Sequence, residues 1–397
     1  MKGINTKLVY SGPPATRRNG IEVKTINPPV HHASTVLFDS YADLQAATRG
    51  NYRGVSYGTA GLPVQHAFEK AMAALEGGTY SRAFQSGINA ITTALMAFTK
   101  NGDHILVVDN VYGPTRHFCD RTLAKFGVCT DYLPAAAGGD VADYIKPETS
   151  LIFLESPGSN TFEIQDIPAI TAVAREKNIV TIIDNTWATP LFLKPFDLGV
   201  DIIIQSATKY ISGHSDVLLG TVTLNTRQVE TFKRFCRTME LYASPDDCYL
   251  ALRGLKTLAV RLKHHESTAL EVANWLSGLD IIDVVLHPAL PGHPQHHLWQ
   301  RDFSGSTGLF GFIFKQAYPE NQIAAFVNSL ALFGLGFSWG GYKSLLTVGK
   351  YGRTAASDYS GRTVFRVNVG MEDAPDLIAD LESGLKHLVR SREPADA

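Results

Sequence analysis

The chain has 397 residues, with 36 basic and 38 acidic side chains, and its formal charge of −2 excludes an electrostatic nucleic-acid binder. That length is more than a single core takes, so two or more domains are expected, and 45% hydrophobic with 19% charged residues is ordinary globular composition. No apolar run approaches a membrane span.

Residues 1–60 are rich in Pro, Gly, Asn, Thr and Arg, as in Ser11-Gly-Pro-Pro and Asn27-Pro-Pro, and show little helical periodicity. They read as an arm, either flexible or extended over a neighbouring subunit. From Pro63 the pattern alternates. A helix is expected over 64–75, opened by Pro63 and closed by Gly77-Gly78, and a buried apolar helix over 88–98. A strand over 104–109, a helix over 115–126, a strand over 150–155 and a helix over 166–177 follow. Two β-branched runs, 179–184 and 202–204, and the segment 217–224 complete a mainly parallel sheet covered on both faces. A long helical stretch over 246–276, bent near Gly254, leads out of it. Strands over 309–315 and 363–369 and helices over 320–332 and 373–389 make a smaller α+β region. The expected division is an arm (1–60), an α/β domain (61–256) and a C-terminal α+β domain (257–397).

The most informative segment is Ile202-Ile-Ile-Gln-Ser-Ala-Thr-Lys-Tyr-Ile-Ser-Gly-His214. A lysine at the carboxyl end of a buried strand is costly unless it has a partner or a task. Desolvation there favours the free amine, which makes Lys209 a nucleophile able to form a Schiff base. Ser206 and Thr208 beside it are donors suited to a phosphate. Asp184, the first charge after the strand ending Thr181-Ile-Ile, is a buried carboxylate that calls for a cation. A protonated pyridinium would supply it, and the two strand ends together point to pyridoxal phosphate (PLP).

Further parts fit the same site. In Phe84-Gln-Ser-Gly-Ile-Asn89, Ser86 is an N-cap, and Gly87 opens a helix whose N–H groups face an anion. Tyr112, just past a strand end, can stack on a pyridine face. Neither the histidine pairs nor the four cysteines, Cys119, Cys129, Cys236 and Cys248, show metal-ligand spacing, so no metal is expected. The absence of both a Cys-x-x-Cys and a signal-peptide core in the first residues is the basis for expecting a reduced, cytoplasmic protein. A dinucleotide-binding Gly-x-Gly-x-x-Gly at a strand–helix junction is absent, which argues against a nicotinamide oxidoreductase.

These residues carry a resemblance. Glu155-Ser-Pro-Gly-Ser, Ile183-Asp-Asn-Thr-Trp187, Ala207-Thr-Lys-Tyr with Gly213-His-Ser-Asp216, Ser338-Trp-Gly-Gly-Tyr342 and Arg366 in Phe365-Arg-Val-Asn-Val-Gly370 resemble the cysteine/methionine-metabolism family of PLP enzymes, most closely its bacterial cystathionine β-lyases. The likeness runs from the arm to the last helix. It implies the aspartate aminotransferase-like fold and Lys209 as the cofactor lysine and catalytic base. It implies Asp184 as partner of the ring nitrogen and Tyr112 as the stacking ring. Ser86, Gly87, Ile88, Ser206 and Thr208 would hold the phosphate, with Tyr57 and the Thr59 position reaching in from a neighbouring subunit. Arg366 would hold the substrate carboxylate as a bidentate fork, with Ser338, Trp339, Tyr112 and Asn160 lining the substrate site.

The implied reaction is β-elimination of cystathionine to homocysteine, pyruvate and ammonia, for methionine biosynthesis, by a homotetramer built from two dimers. Related γ-lyase, γ-synthase and desulfhydrase activities would use the same residues. The bulky Trp339 would narrow the distal site and favour β over γ chemistry. One departure stands out: the family's phosphate-binding arginine is replaced by Thr59 in Tyr57-Gly-Thr-Ala-Gly61. Either Thr59 supplies a weaker hydrogen bond, or Arg49 or Arg53 reaches in.

Overall fold

The computed structural model describes residues 3–9, 16–18, 21–23, 25–355 and 359–389. Its centre is a seven-stranded sheet in the order Tyr80–Phe84, Gly220–Leu224, Ile202–Gln205, Val180–Asp184, Thr149–Glu155, His104–Val108, Cys129–Leu133. Gly220–Leu224 runs antiparallel to both neighbours, and the four remaining pairings are parallel. The uninterrupted apolar runs seen in the sequence are the central strands, buried on both faces; Ile202, Ile203 and Ile204 are fully buried. Each such side chain contributes about 1.5–3 kcal/mol of burial free energy.

The helix Pro63–Glu76 begins at a proline and ends on Gly77, whose φ of 80° only glycine adopts without strain. The helix Gly87–Phe98 is capped by Ser86, whose hydroxyl accepts from the Asn89 N–H at 3.1 Å. The long helical stretch is two helices, Pro245–Leu255 and Leu258–Ser277, separated by Lys256 and Thr257. Gly254 is required there, because a Cβ would lie 2.4 Å from the Ile211 carbonyl and 2.5 Å from that of Ser212. This contact presses the helix onto the loop that follows Lys209.

The second sheet has five strands, in the order Ile282–Leu286, Leu309–Phe314, Thr363–Asn368, Leu345–Lys350, Gly334–Leu335. Phe310, Phe312, Phe314, Phe326 and Phe365 form an aromatic core with Leu377 and Leu381 of the helix Ala374–Val389. Trp187 Nε1 donates to the Leu309 carbonyl at 2.8 Å, tying the end of the first sheet to the second.

Several elements differ from the sequence reading. The helix expected over 115–126 is an α-helix, Gly113–Arg121, followed by a 3-10 turn, Leu123–Phe126. Residues 217–219 precede the strand instead of belonging to it. The edge strand Cys129–Leu133, the strands Ile282–Leu286 and Leu345–Lys350 and the helix Tyr41–Thr48 went unread.

Candidate active site

Parallel strands present their carboxyl ends on one edge, and the candidate side chains gather there. Asp184 ends Val180–Asp184 and stands directly opposite Glu155, the last residue of Thr149–Glu155. Tyr112 follows the neighbouring strand His104–Val108, as the cap of Gly113–Arg121. Ser206 to Lys209 follow Ile202–Gln205. The second sheet adds Arg366 from Thr363–Asn368, and Ser338 and Trp339 come from the loop before Leu345–Lys350.

Lys209 Nζ donates to Ser338 Oγ at 2.6 Å and lies 5.4 Å from the centre of the Trp339 ring. Burial, reinforced by the Arg366 charge, lowers its pKa to about 8 against the pull of Asp184. Ser338 holds a φ of 83°, a left-handed conformation unusual for a residue with a side chain. Arg366 donates from one terminal nitrogen to Asn160 Oδ1 at 3.3 Å and from the other to the Ser338 carbonyl at 3.5 Å. Thus Lys209, Ser338, Trp339, Arg366 and Asn160 form one connected group.

Asp184 accepts from the Thr186 N–H at 2.9 Å and from the Thr186 hydroxyl. Burial nevertheless raises its pKa, against the Thr186 hydrogen bonds and the charge of Lys209. A half-buried carboxylate in this state accommodates a cationic ring nitrogen. The phosphate end fits equally well. The N–H groups of Gly87 and Ile88 belong to a helix first turn, which has no intrahelical acceptors for them. A Cβ on Gly87 would sit 2.6 Å from Ser206 Oγ, so glycine is what lets that hydroxyl lie over the helix end. A cradle for an anion, a half-buried carboxylate and a desolvated lysine are the donor set that PLP requires.

Two residues differ in detail from expectation. The Thr208 hydroxyl donates to the Leu219 carbonyl at 3.2 Å and accepts the Leu219 N–H at 2.9 Å, so its proton is already committed. Tyr57 and Thr59 line a separate cavity of about 630 Å³ together with His66, Arg82, Lys233 and Arg237. Within one chain the structure does not bring them to Lys209. Arg82 holds their segment in place, donating to the carbonyls of Thr59 at 2.8 Å, Ala60 at 3.4 Å and Leu241 at 2.6 Å.

Sequence reading assigned no role to Glu155, Tyr351 or Arg353. Glu155 Oε2 accepts the Tyr112 N–H at 2.7 Å. Its pKa is raised well above the ordinary value by burial and then by Asp184, with Arg353 opposing. Burial also raises the pKa of Tyr112, with Glu155 and Asp184 adding to it. Tyr351 feels the charges of both Arg366 and Arg353. The quoted Glu155-Ser-Pro-Gly motif was the only available signal.

Residues 5–386 match the family described as Cys/Met metabolism PLP-dependent enzyme. A putative cystathionine beta-lyase of Rhizobium johnstonii is 46% identical over 386 residues, covering 96% of each chain. Cystathionine beta-lyase MetC of Escherichia coli K12 is 38% identical over 397 residues, covering 98% of this chain and 99% of its own. A solved structure of cystathionine gamma synthase from Xanthomonas oryzae pv. oryzae superposes with a TM-score of 0.88 at 29% identity, covering 98% of this chain and all of its own. The chain belongs to the cysteine/methionine-metabolism family of PLP-dependent enzymes, of the same α/β fold.

Proposed function

We propose that this enzyme is a carbon–sulfur β-lyase that cleaves L-cystathionine, with water, to homocysteine, pyruvate and ammonia. The observation that carries the reading is Lys209: a desolvated amine, aimed by Ser338 and flanked by Asp184 and Arg366. PLP, when bound, supplies an electron sink for negative charge at the substrate carbon bearing the amino group. Lys209, Asp184, Tyr112, Ser86, Gly87, Ile88 and Ser206 would hold it.

Arg366 pairs its two terminal nitrogens with the substrate α-carboxylate, and Asn160 steadies the guanidinium. That contact would bring Cα toward the lysine amine, whose charge Arg366 already influences. With a pKa of about 8, roughly a tenth of such amines are neutral at pH 7, against well under a thousandth for an ordinary lysine. Lys209 then takes the proton from Cα and returns one to the departing sulfur as the Cβ–S bond breaks. Trp339, beside Lys209 Nζ, packs against Tyr210 with ring centres 5.4 Å apart and walls the distal side. That wall favours elimination at Cβ over chemistry that needs room at Cγ.

Tyr57 and the rest of the arm, residues 1–60, would serve a neighbouring subunit's site in a tetramer made of two dimers. Exposed Ile26, Leu37, Tyr41 and Tyr57 support that reading, since a solitary chain would leave these apolar groups in water. None of the described helices is long and apolar enough to cross a membrane. The deciding experiment incubates the PLP-loaded protein with L-cystathionine, using Lys209→Ala as control. Pyruvate, ammonia and homocysteine, absent with the variant, are expected. Cysteine with 2-oxobutyrate would instead make it a γ-lyase.

A further inference from the structure

We propose that Glu155 is a positioning residue that fixes Tyr112 over the cofactor site through the Tyr112 backbone N–H. The inference rests on the reading that Tyr112 faces the cofactor, and it concerns what places that ring.

The Tyr112 carbonyl accepts the Thr115 and Arg116 N–H groups at 2.9 and 3.2 Å, but its side chain has little to hold it. It caps Gly113–Arg121 without a side-chain capping bond, and it is 44% exposed. Among the described residues its hydroxyl has no hydrogen-bond partner and its ring no aromatic one. Its N–H donates to Glu155 Oε2 at 2.7 Å across 43 residues of sequence. The strands that lead to these two residues, His104–Val108 and Thr149–Glu155, are parallel neighbours. Glu155 therefore stitches two adjacent strand ends together at the edge where the site lies, and it stands opposite Asp184 on the third.

A carboxyl group is an expensive way to make this bond. Two carboxylates on adjacent strand ends repel, and no ion pair offsets Glu155 among the described residues. Burial and Asp184 raise the proton affinity of Glu155. In its neutral form Glu155 still accepts the Tyr112 N–H through one oxygen, and Asp184, whose pKa burial also raises, then faces no second negative charge across the strand pair. Glutamine is the isostere of that neutral acid. Alanine removes the acceptor, and aspartate keeps the acid but falls short by one methylene.

The test uses PLP-loaded wild type, Glu155→Gln, Glu155→Ala and Glu155→Asp, with three readouts. Hydrogen exchange of the peptide spanning 110–114 reports the N–H without substrate. Visible circular dichroism reports how the bound cofactor is held. The kcat and KM for L-cystathionine report its use. Glu155→Ala is expected to speed exchange roughly tenfold, change the dichroic band and lower kcat roughly tenfold with a smaller change in KM. Glu155→Gln should match wild type in all three. If Glu155→Ala does not fold, Glu155→Asp is expected to show the same losses. Wild-type exchange and dichroism in the acceptor-deficient variant overturn the proposal, as does Glu155→Gln being as damaging as Glu155→Ala. Exchange and dichroism need no substrate, so they decide this question even if cystathionine is not turned over.

Discussion

Gly87→Ala tests the phosphate cradle directly. The new methyl would lie 2.6 Å from Ser206 Oγ, 2.7 Å from its Cβ and 3.2 Å from its Cα. Contacts under 3 Å are repulsive, so Ser206 or the first turn of Gly87–Phe98 must shift. On its own, glycine to alanine in a helix stabilises by about 1 kcal/mol, less at the first position. Against this stands the loss of a hydrogen bond from Ser206 to a charged phosphate, worth about 1.5–3 kcal/mol. Cofactor affinity should therefore fall roughly 10- to 150-fold while the melting temperature of the apoprotein changes little. Titrating dialysed protein with PLP and following its absorbance gives the dissociation constant. A value within about twofold of wild type, with an intact fold, would refute the placing of the phosphate at this helix end.

Arg366→Lys keeps the charge but loses the fork, so kcat/KM for an amino-acid substrate should drop about 100-fold, seen in steady-state kinetics. Glu76, buried beneath Gln205 Nε2 at 2.9 Å, has its pKa raised to about 7 by burial. A raised acid stabilises the fold fully below its unfolded pKa of about 4.5 and loses that contribution as pH rises through 7. Glu76→Gln should thus gain on wild type by up to about 3 kcal/mol between pH 4.5 and 8, read as the difference in unfolding free energy across that range. Deleting residues 1–60 should abolish both activity and the larger assembly, checked by light scattering and turnover; an active monomer would disprove the role of the arm.

Where the sequence was readable, one physical cause explains it. Asp184 ends one β-branched apolar run and Lys209 follows shortly after another, so their cost and their position at strand ends could be inferred together. Cys129–Leu133 lies at a sheet edge, with Cys129, Thr130, Asp131 and Tyr132 partly or fully open to solvent, and so lacks an apolar run. Tyr41–Thr48 buries no side chain and leaves no amphipathic stripe to read. Glu155 escaped notice because its partner is a backbone N–H, which carries no residue-type signal, at a distance set by strand order. Tyr57 and Thr59 lie away from Lys209 within one chain, and their proposed role depends on a neighbouring subunit, which a single sequence does not display.

The loop carrying Lys209 is closed at both ends. Thr208 shares one backbone–backbone bond and two hydroxyl bonds with Leu219, and Gly254 admits the helix that presses from behind. The main chain cannot carry the lysine amine away from the site; only its aliphatic tether can swing. An amine so tethered would act, in the proposed reaction, at an effective concentration that free amine in solution could not reach. Loosening that clasp would dilute the base without altering any group that touches substrate.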